Sequence, residues 1–197
     1  MIEYYPIHPT LPTRRNDVEP RTRYSAYKQD LRMDFSKLCG YCGTSDHYSG
    51  GQRGYHIDHF APKKKFEHLT HSYHNLVYSC PICNLGKSDH WPGDDPTISY
   101  IADVGFVDPC LPAYPEHLAR NQAGQIIALT PLGEYIRKQL KLSLKRREIC
   151  WLLDKMESQA LILSSMIAND EQDRDLLVAF HKIASSYLKY VGILKSE

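Results

Sequence analysis

Cys39-Gly40-Tyr41-Cys42, His56-Ile57-Asp58-His59, Asn75-Leu76 and Cys80-Pro81-Ile82-Cys83-Asn84-Leu85-Gly86-Lys87 follow one another between residues 39 and 87. Each Cys-x-x-Cys pair can place two thiolates on one tetrahedral ion, and two pairs complete a four-sulfur zinc site on Cys39, Cys42, Cys80 and Cys83. The polar residues bracketed by the pairs exceed what a structural knuckle uses. A carboxylate at Asp58 and an amide oxygen at Asn84 suit a hard cation, Mg²⁺ or Mn²⁺, rather than a second zinc. Tyr55 to Phe60 reads as a short strand stopped by Pro62, Ser72 to Val77 begins a second segment, and Cys83 to Lys87 opens a helical turn. The expected fold class is α+β: a small zinc-supported strand–strand–helix module followed by a mainly α-helical C-terminal region.

The chain has 197 residues, enough for one ordinary domain or a small module with a helical appendage. Its 42% apolar and 24% charged content is that of a soluble globular protein. Met1 to Pro12 lacks a basic-then-apolar leader pattern, and no apolar run approaches the roughly 18 residues needed to span a membrane. A cytoplasmic location with reduced thiols is therefore expected, where paired cysteines serve as metal ligands and the lone Cys110 and Cys150 as small core residues. The net charge is +1, but it is unevenly spread. Residues 12–66 carry 11 Lys/Arg against 6 Asp/Glu, whereas residues 88–120 carry one basic residue against 6 acidic ones. The positive field thus surrounds the motif, where a phosphate backbone can use it.

Residues 1–20, with Pro6, Pro9, Pro12 and Pro20, read as an extended arm whose Glu3-Tyr4-Tyr5 start can dock on the body or on a partner. Residues 21–92 hold the metal module, entered through a helix over 22–37 with Thr22 as its cap and Tyr24, Tyr27, Leu31 and Phe35 on one face. Residues 93–129 read as a surface connection, rich in Pro, Gly and Asp, that ends in a small hairpin around Asn121 to Gly124. Residues 130–197 form the helical region, opened by the capping pair Thr130-Pro131. Two helices are expected there. Ile149, Leu152, Leu153, Met156, Ala160, Leu163 and Ile167 line one face; after a break at Asn169-Asp170, Leu176, Phe180, Ile183, Tyr187 and Val191 line the other.

Within the module, a neutral imidazole at His59 is the natural base for taking a proton from water near neutral pH. Adjacent strand residues face opposite sides, so Asp58 can hold a cation while His59 addresses the water. His59 as a zinc ligand or core histidine is the plainer alternative, as is a helix-capping role for Asn84. Asn75 can brace the loop through its amide, and Lys87, one turn beyond Asn84, can contact phosphate. His56 shares a strand face with Asp58 and is open to three roles: a group behind the metal ligands, a third ligand or a substrate contact. His68, His71 and His74 offer a rival Cys₂His₂ site with Cys39 and Cys42, but that arrangement leaves Cys80 and Cys83 without a task.

These residues, in this order, resemble the HNH endonuclease family with its ββα-metal site. Asn84 stands where many members have His, a variant the family also uses. The resemblance implies a catalytic divalent metal on Asp58 and Asn84, His59 as general base, a structural zinc on the four cysteines, and hydrolysis of nucleic-acid phosphodiester bonds to 5′-phosphate and 3′-hydroxyl ends. More loosely, His56 to Lys63, Asp108-Pro109-Cys110 and Leu129-Thr130-x-x-Gly133 resemble HNH subunits of bacterial anti-phage operons, of the Septu type and in some retrons. There the nuclease accompanies an ABC/SMC-like ATPase, and that resemblance implies such a partner here. The rival of another class is a non-catalytic zinc-knuckle module that binds nucleic acid or a partner, which would leave Asp58, His59 and Asn84 without a joint task.

Overall fold

The computed structural model describes residues 4–168 and 173–196. The chain divides into two compact units, Met1–Leu144 and Lys145–Glu197.

In the first unit a 3₁₀ turn, Tyr24–Tyr27, runs into α1 (Lys28–Asp34). The helix is shorter than its apolar spacing predicts. Thr22 is not its cap, and Ser36 and Lys37 take φ values of 52° and 64°, which end it. Its inner face buries Tyr27, Leu31 and Phe35. A helical turn, α2 (Gly51–Gly54), precedes β1 (His56–His59), which pairs antiparallel with β2 (Leu76–Ser79) in the register His56↔Ser79 to His59↔Leu76. α3 (Pro81–Lys87) follows at once. It starts two residues earlier than the sequence suggests, because Cys80 Sγ accepts the Cys83 N–H at 3.4 Å and Pro81 sits in the first turn.

Residues 93–129 are more than a surface connection with a terminal hairpin. β3 (Tyr100–Ile101) and β4 (Val104–Gly105) pair, and the next two residues, Phe106 and Val107, enter the core. The abundant Pro, Gly and Asp hide this two-residue plug, which is too short to show a period. α4 (Tyr114–His117) then leads into the hairpin of β5 (Leu118–Arg120) and β6 (Ile126–Ala128). Tyr5 from the arm bridges to Arg120 through both backbone groups, at 2.8 and 2.7 Å. Further along the arm, Ile7, His8 and Arg14 are buried, and Arg14 donates to Leu76 O at 2.6 Å while gripping Asp108 with two bonds. The arm docks on the body.

α5 (Pro131–Gln139) is capped as expected, Thr130 Oγ1 accepting the Gly133 N–H at 3.0 Å. It ends against α3: Gln139 Nε2 donates to Gly86 O at 3.1 Å, and a Cβ on Gly86 would lie 2.6 Å from Gln139 O. The backbones touch only because residue 86 has no side chain. α5 therefore belongs with the metal module, and the division of the chain falls at Leu144 instead of Thr130. Three helices follow Thr130 where two were expected.

The second unit is a pair of packed helices, α6 (Lys145–Ile167) and α7 (Arg174–Ser196). Every residue of the two expected stripes is buried or half-buried. The expected break at Asn169-Asp170 lies outside the described residues. No described residue of α7 is fully buried, and Leu161, Ile162 and Met166 on α6 with Leu177, Val178 and Leu188 on α7 stay exposed. Among the described residues no helix is long and apolar enough to cross a membrane.

Candidate metal centres and cleft

The two Cys-x-x-Cys turns come together with all four Sγ atoms within 4.8 Å of one another, each residue buried. Cys42 and Cys80 Sγ are 3.9 Å apart. A tetrahedral ion with Zn–S bonds of about 2.3 Å requires S···S separations of about 3.8 Å, so the cage fits zinc. Burial pushes the Cys39 and Cys83 thiols well above their usual range. Metal binding requires the thiolates, so a cation has to supply the charge that this dry pocket otherwise refuses. Among the described residues this is the one group of three or more Cys, His, Asp or Glu side chains close enough to share a metal, so the rival histidine site is not formed.

Distant parts of the chain hold the first turn in place. Three successive carbonyls are each capped by a remote donor: Gly40 O by His8 Nε2 at 2.6 Å, Tyr41 O by the Tyr114 hydroxyl at 2.6 Å, and Cys42 O by Arg120 Nη2 at 2.7 Å. Gly43 (φ +65°) completes the turn so close to the arm that a Cβ would lie 2.3 Å from Ile7 O. Sequence reading missed these clamps; donor and acceptor are 32, 73 and 78 residues apart, so no local spacing marks them.

A cleft of about 520 Å³ opens beside this cage and gathers His56, Asp58, His59 and Asn84 with Tyr24, Lys28 and Lys63. Asp58 and His59 turn to different partners. Asp58 Oδ2 accepts from the Tyr41 hydroxyl at 2.5 Å and faces Lys87 Nζ at 3.4 Å. Tyr41 thus ties a residue of the zinc turn to the buried carboxylate. Burial raises the Asp58 pKa, and the attraction of Lys87 and the Tyr41 bond oppose that rise. His59 Nε2 lies 3.0 Å from Thr70 O. A carbonyl only accepts, so Nε2 carries the proton and Nδ1 keeps its lone pair. Burial also lowers the His59 pKa, which keeps the ring neutral near pH 7. Asn84 Nδ2 meets His56 Nδ1 at 3.1 Å, so a donating amide leaves its Oδ1 as the acceptor end. The Asp58 carboxylate and the Asn84 amide oxygen line one cleft, and both are oxygen donors of the kind that suits Mg²⁺ or Mn²⁺.

Asn75 braces the turn after β1: Oδ1 accepts the Ala61 N–H at 2.8 Å and Nδ2 donates to Ala61 O at 3.0 Å. Lys87 is a correction. Instead of reaching for phosphate it is fully buried, donating to His59 O at 2.9 Å and facing Asp58. Three residues along a helix turn the side chain about 60° away from Asn84, which carries Lys87 out of the cleft and under β1. The lysine run also divides: Lys64 pairs with Asp89 and Lys65 with Asp94, while Lys63 lies over the Tyr24 ring.

Residues 39–90 match the family model described as HNH endonuclease. The HNH match spans 52 of 197 residues, from the first zinc cysteine past Lys87, and therefore covers both Cys pairs, β1, β2 and α3. An HNH domain supports nuclease chemistry in general, with metal-dependent hydrolysis of nucleic acid. No curated protein matches the chain.

Proposed function

We propose that this protein is a metal-dependent endonuclease that hydrolyses phosphodiester bonds inside a nucleic-acid strand, with His59 as general base. The observation that carries the reading is the state of His59. Its Nε2 is committed to Thr70 O, its Nδ1 is left basic, and it shares a cleft with the hard donors Asp58 and Asn84. Nδ1 takes the proton of a water, which attacks phosphorus as the bond to the leaving 3′ oxygen breaks. Asp58 and Asn84 would hold Mg²⁺ or Mn²⁺, with His56 behind Asn84, its Nδ1 accepting from the Asn84 amide and so orienting Oδ1. When bound, that cation stabilises charge on the phosphate and leaving oxygens. Lys87 holds the His59 carbonyl and balances Asp58, Asn75 fixes the turn that carries His59, and the zinc on Cys39, Cys42, Cys80 and Cys83 anchors both ends of the motif.

The finer reading is that of a cytoplasmic effector nuclease working with an ABC/SMC-like ATPase in anti-phage defence. It rests on the resemblance around residues 39–147 and on the exposed apolar side chains of α6 and α7, which suit a protein partner. Purified protein, alone and co-expressed with such an ATPase, is to be assayed on plasmid DNA and structured RNA with Mg²⁺ or Mn²⁺. Cleavage that disappears in His59→Ala supports the nuclease. Tight binding with no cleavage under any of these conditions favours the non-catalytic zinc-knuckle module, and an ATPase that neither co-purifies nor alters activity removes the partner.

A further inference from the structure

One wall of the cleft comes from a segment that precedes the HNH match. Tyr24 and Lys28 are four residues apart on the continuous helical segment 24–34, so they share a face, and both line the cleft with His59. The Tyr24 ring stands edge-on to the His59 ring, centroids 4.7 Å apart. Lys63, from the turn after β1, places Nζ 4.7 Å from the Tyr24 ring centroid and 3.4 Å from its hydroxyl. Tyr24 therefore fixes the position of one lysine, neighbours the second and packs against the base.

The charges in this cleft are not alike. Lys64 in its lining pairs with Asp89 at 2.8 Å, and Lys65, outside it, pairs with Asp94 at 2.7 Å. Among the described residues no carboxylate pairs with Lys28 or Lys63. Lys28 is also half-buried in this wall, its place in the cleft set by the helix that carries it. We infer that Lys28 and Lys63, arranged around Tyr24, form a subsite for a backbone phosphate of the nucleic-acid strand, next to the phosphate presented to His59. The subsite rests on the nuclease reading for its ligand. It adds residues of α1 and the turn before it to a motif that would otherwise grip the strand from one side only.

The test is the salt dependence of binding. The probes are a labelled DNA duplex of about 20 base pairs and an RNA hairpin, with zinc-loaded protein and no added Mg²⁺ or Mn²⁺. Each lost phosphate contact flattens the slope of log K against log salt by about 0.7 to 0.9, so Lys28→Met with Lys63→Met is expected to flatten it by about 1.4 to 1.8. Lys28→Arg with Lys63→Arg is expected to restore the slope, which a misfolded variant cannot do. Lys138→Met, which removes a charge paired with Glu134 on α5, is expected to leave the slope as it is. A double Met variant that keeps the wild-type slope, or a loss equalled by Lys138→Met, overturns the subsite while leaving the nuclease reading intact. Wild-type protein that neither binds nor cuts either probe overturns both.

Discussion

The cysteine cage and the cleft share α3, which carries both Cys83 and Asn84, yet they are opposite kinds of site. The cage is closed: four thiols meet in a dry pocket, and three remote donors cap the carbonyls of its first turn. The cleft is open, and its polar groups keep one end unspent, Nδ1 of His59 and Oδ1 of Asn84. A structural metal needs saturation, whereas a reacting metal needs room for water and substrate. Tyr41 and Lys87 connect the two, Tyr41 from within the zinc turn and Lys87 from the end of the helix that carries Cys83 and Asn84. The rigidity of the cleft is therefore borrowed from the cage.

That dependence is one-way, and the largest expected effect tests it. Cys83→Ser, or a strong chelator, should release the zinc and melt the first unit, because metal binding energy here is folding energy. Metal analysis and circular dichroism read the result; full zinc content with unchanged melting breaks the comparison. The converse is His59→Ala. It should reduce cleavage by about 10² to 10⁴ while leaving zinc content and melting near wild type. Loss of zinc in that variant would instead place His59 in the cage.

Lys87 stands where the two sites join. Lys87→Met keeps much of the buried stem but leaves Asp58 without its cation and His59 O without its donor. Breaking a buried charged pair typically destabilises by about 3 to 5 kcal/mol, so denaturant unfolding should show a loss of that order. A phosphate-contacting lysine would give the opposite pattern, weaker nucleic-acid binding with stability intact.

What the sequence reveals of the two sites follows the same division. The two Cys-x-x-Cys pairs and the strand that carries Asp58 and His59 are legible because tetrahedral ligation and strand alternation impose short, fixed spacings. The hairpin around Asn121 and the cap at Thr130 are legible for the same reason. His8, Arg14, Tyr114 and Arg120 are not, since each meets a backbone group far along the chain and any long donor could have served. Lys87 misleads because three-residue spacing on a helix suggests a shared face, and whether the remaining 60° leads to solvent or to core is decided by what packs on the helix. Phe106 and Val107 are hidden by composition.

The smallest effect concerns the clamp on the cage. Burial lowers the His8 pKa, an effect its bond to Gly40 O only partly offsets, so folded His8 is neutral at a pH where the unfolded chain has already taken a proton. The unfolded state then binds more protons, and stability rises with pH across that window. The contribution is complete above the ordinary histidine value of 6.5 and is lost as pH falls from there towards the lowered folded value. One proton limits the slope to about 1.4 kcal/mol per pH unit. His8→Gln has no such proton to lose, while His59 titrates in both proteins and cancels. With zinc saturating, the stability gap between wild type and His8→Gln should therefore narrow between about pH 7.5 and 5.5. A gap that stays constant, or widens, means that folded His8 takes up its proton as readily as the unfolded chain does, and that the clamp on Gly40 O is not the buried, neutral contact described above.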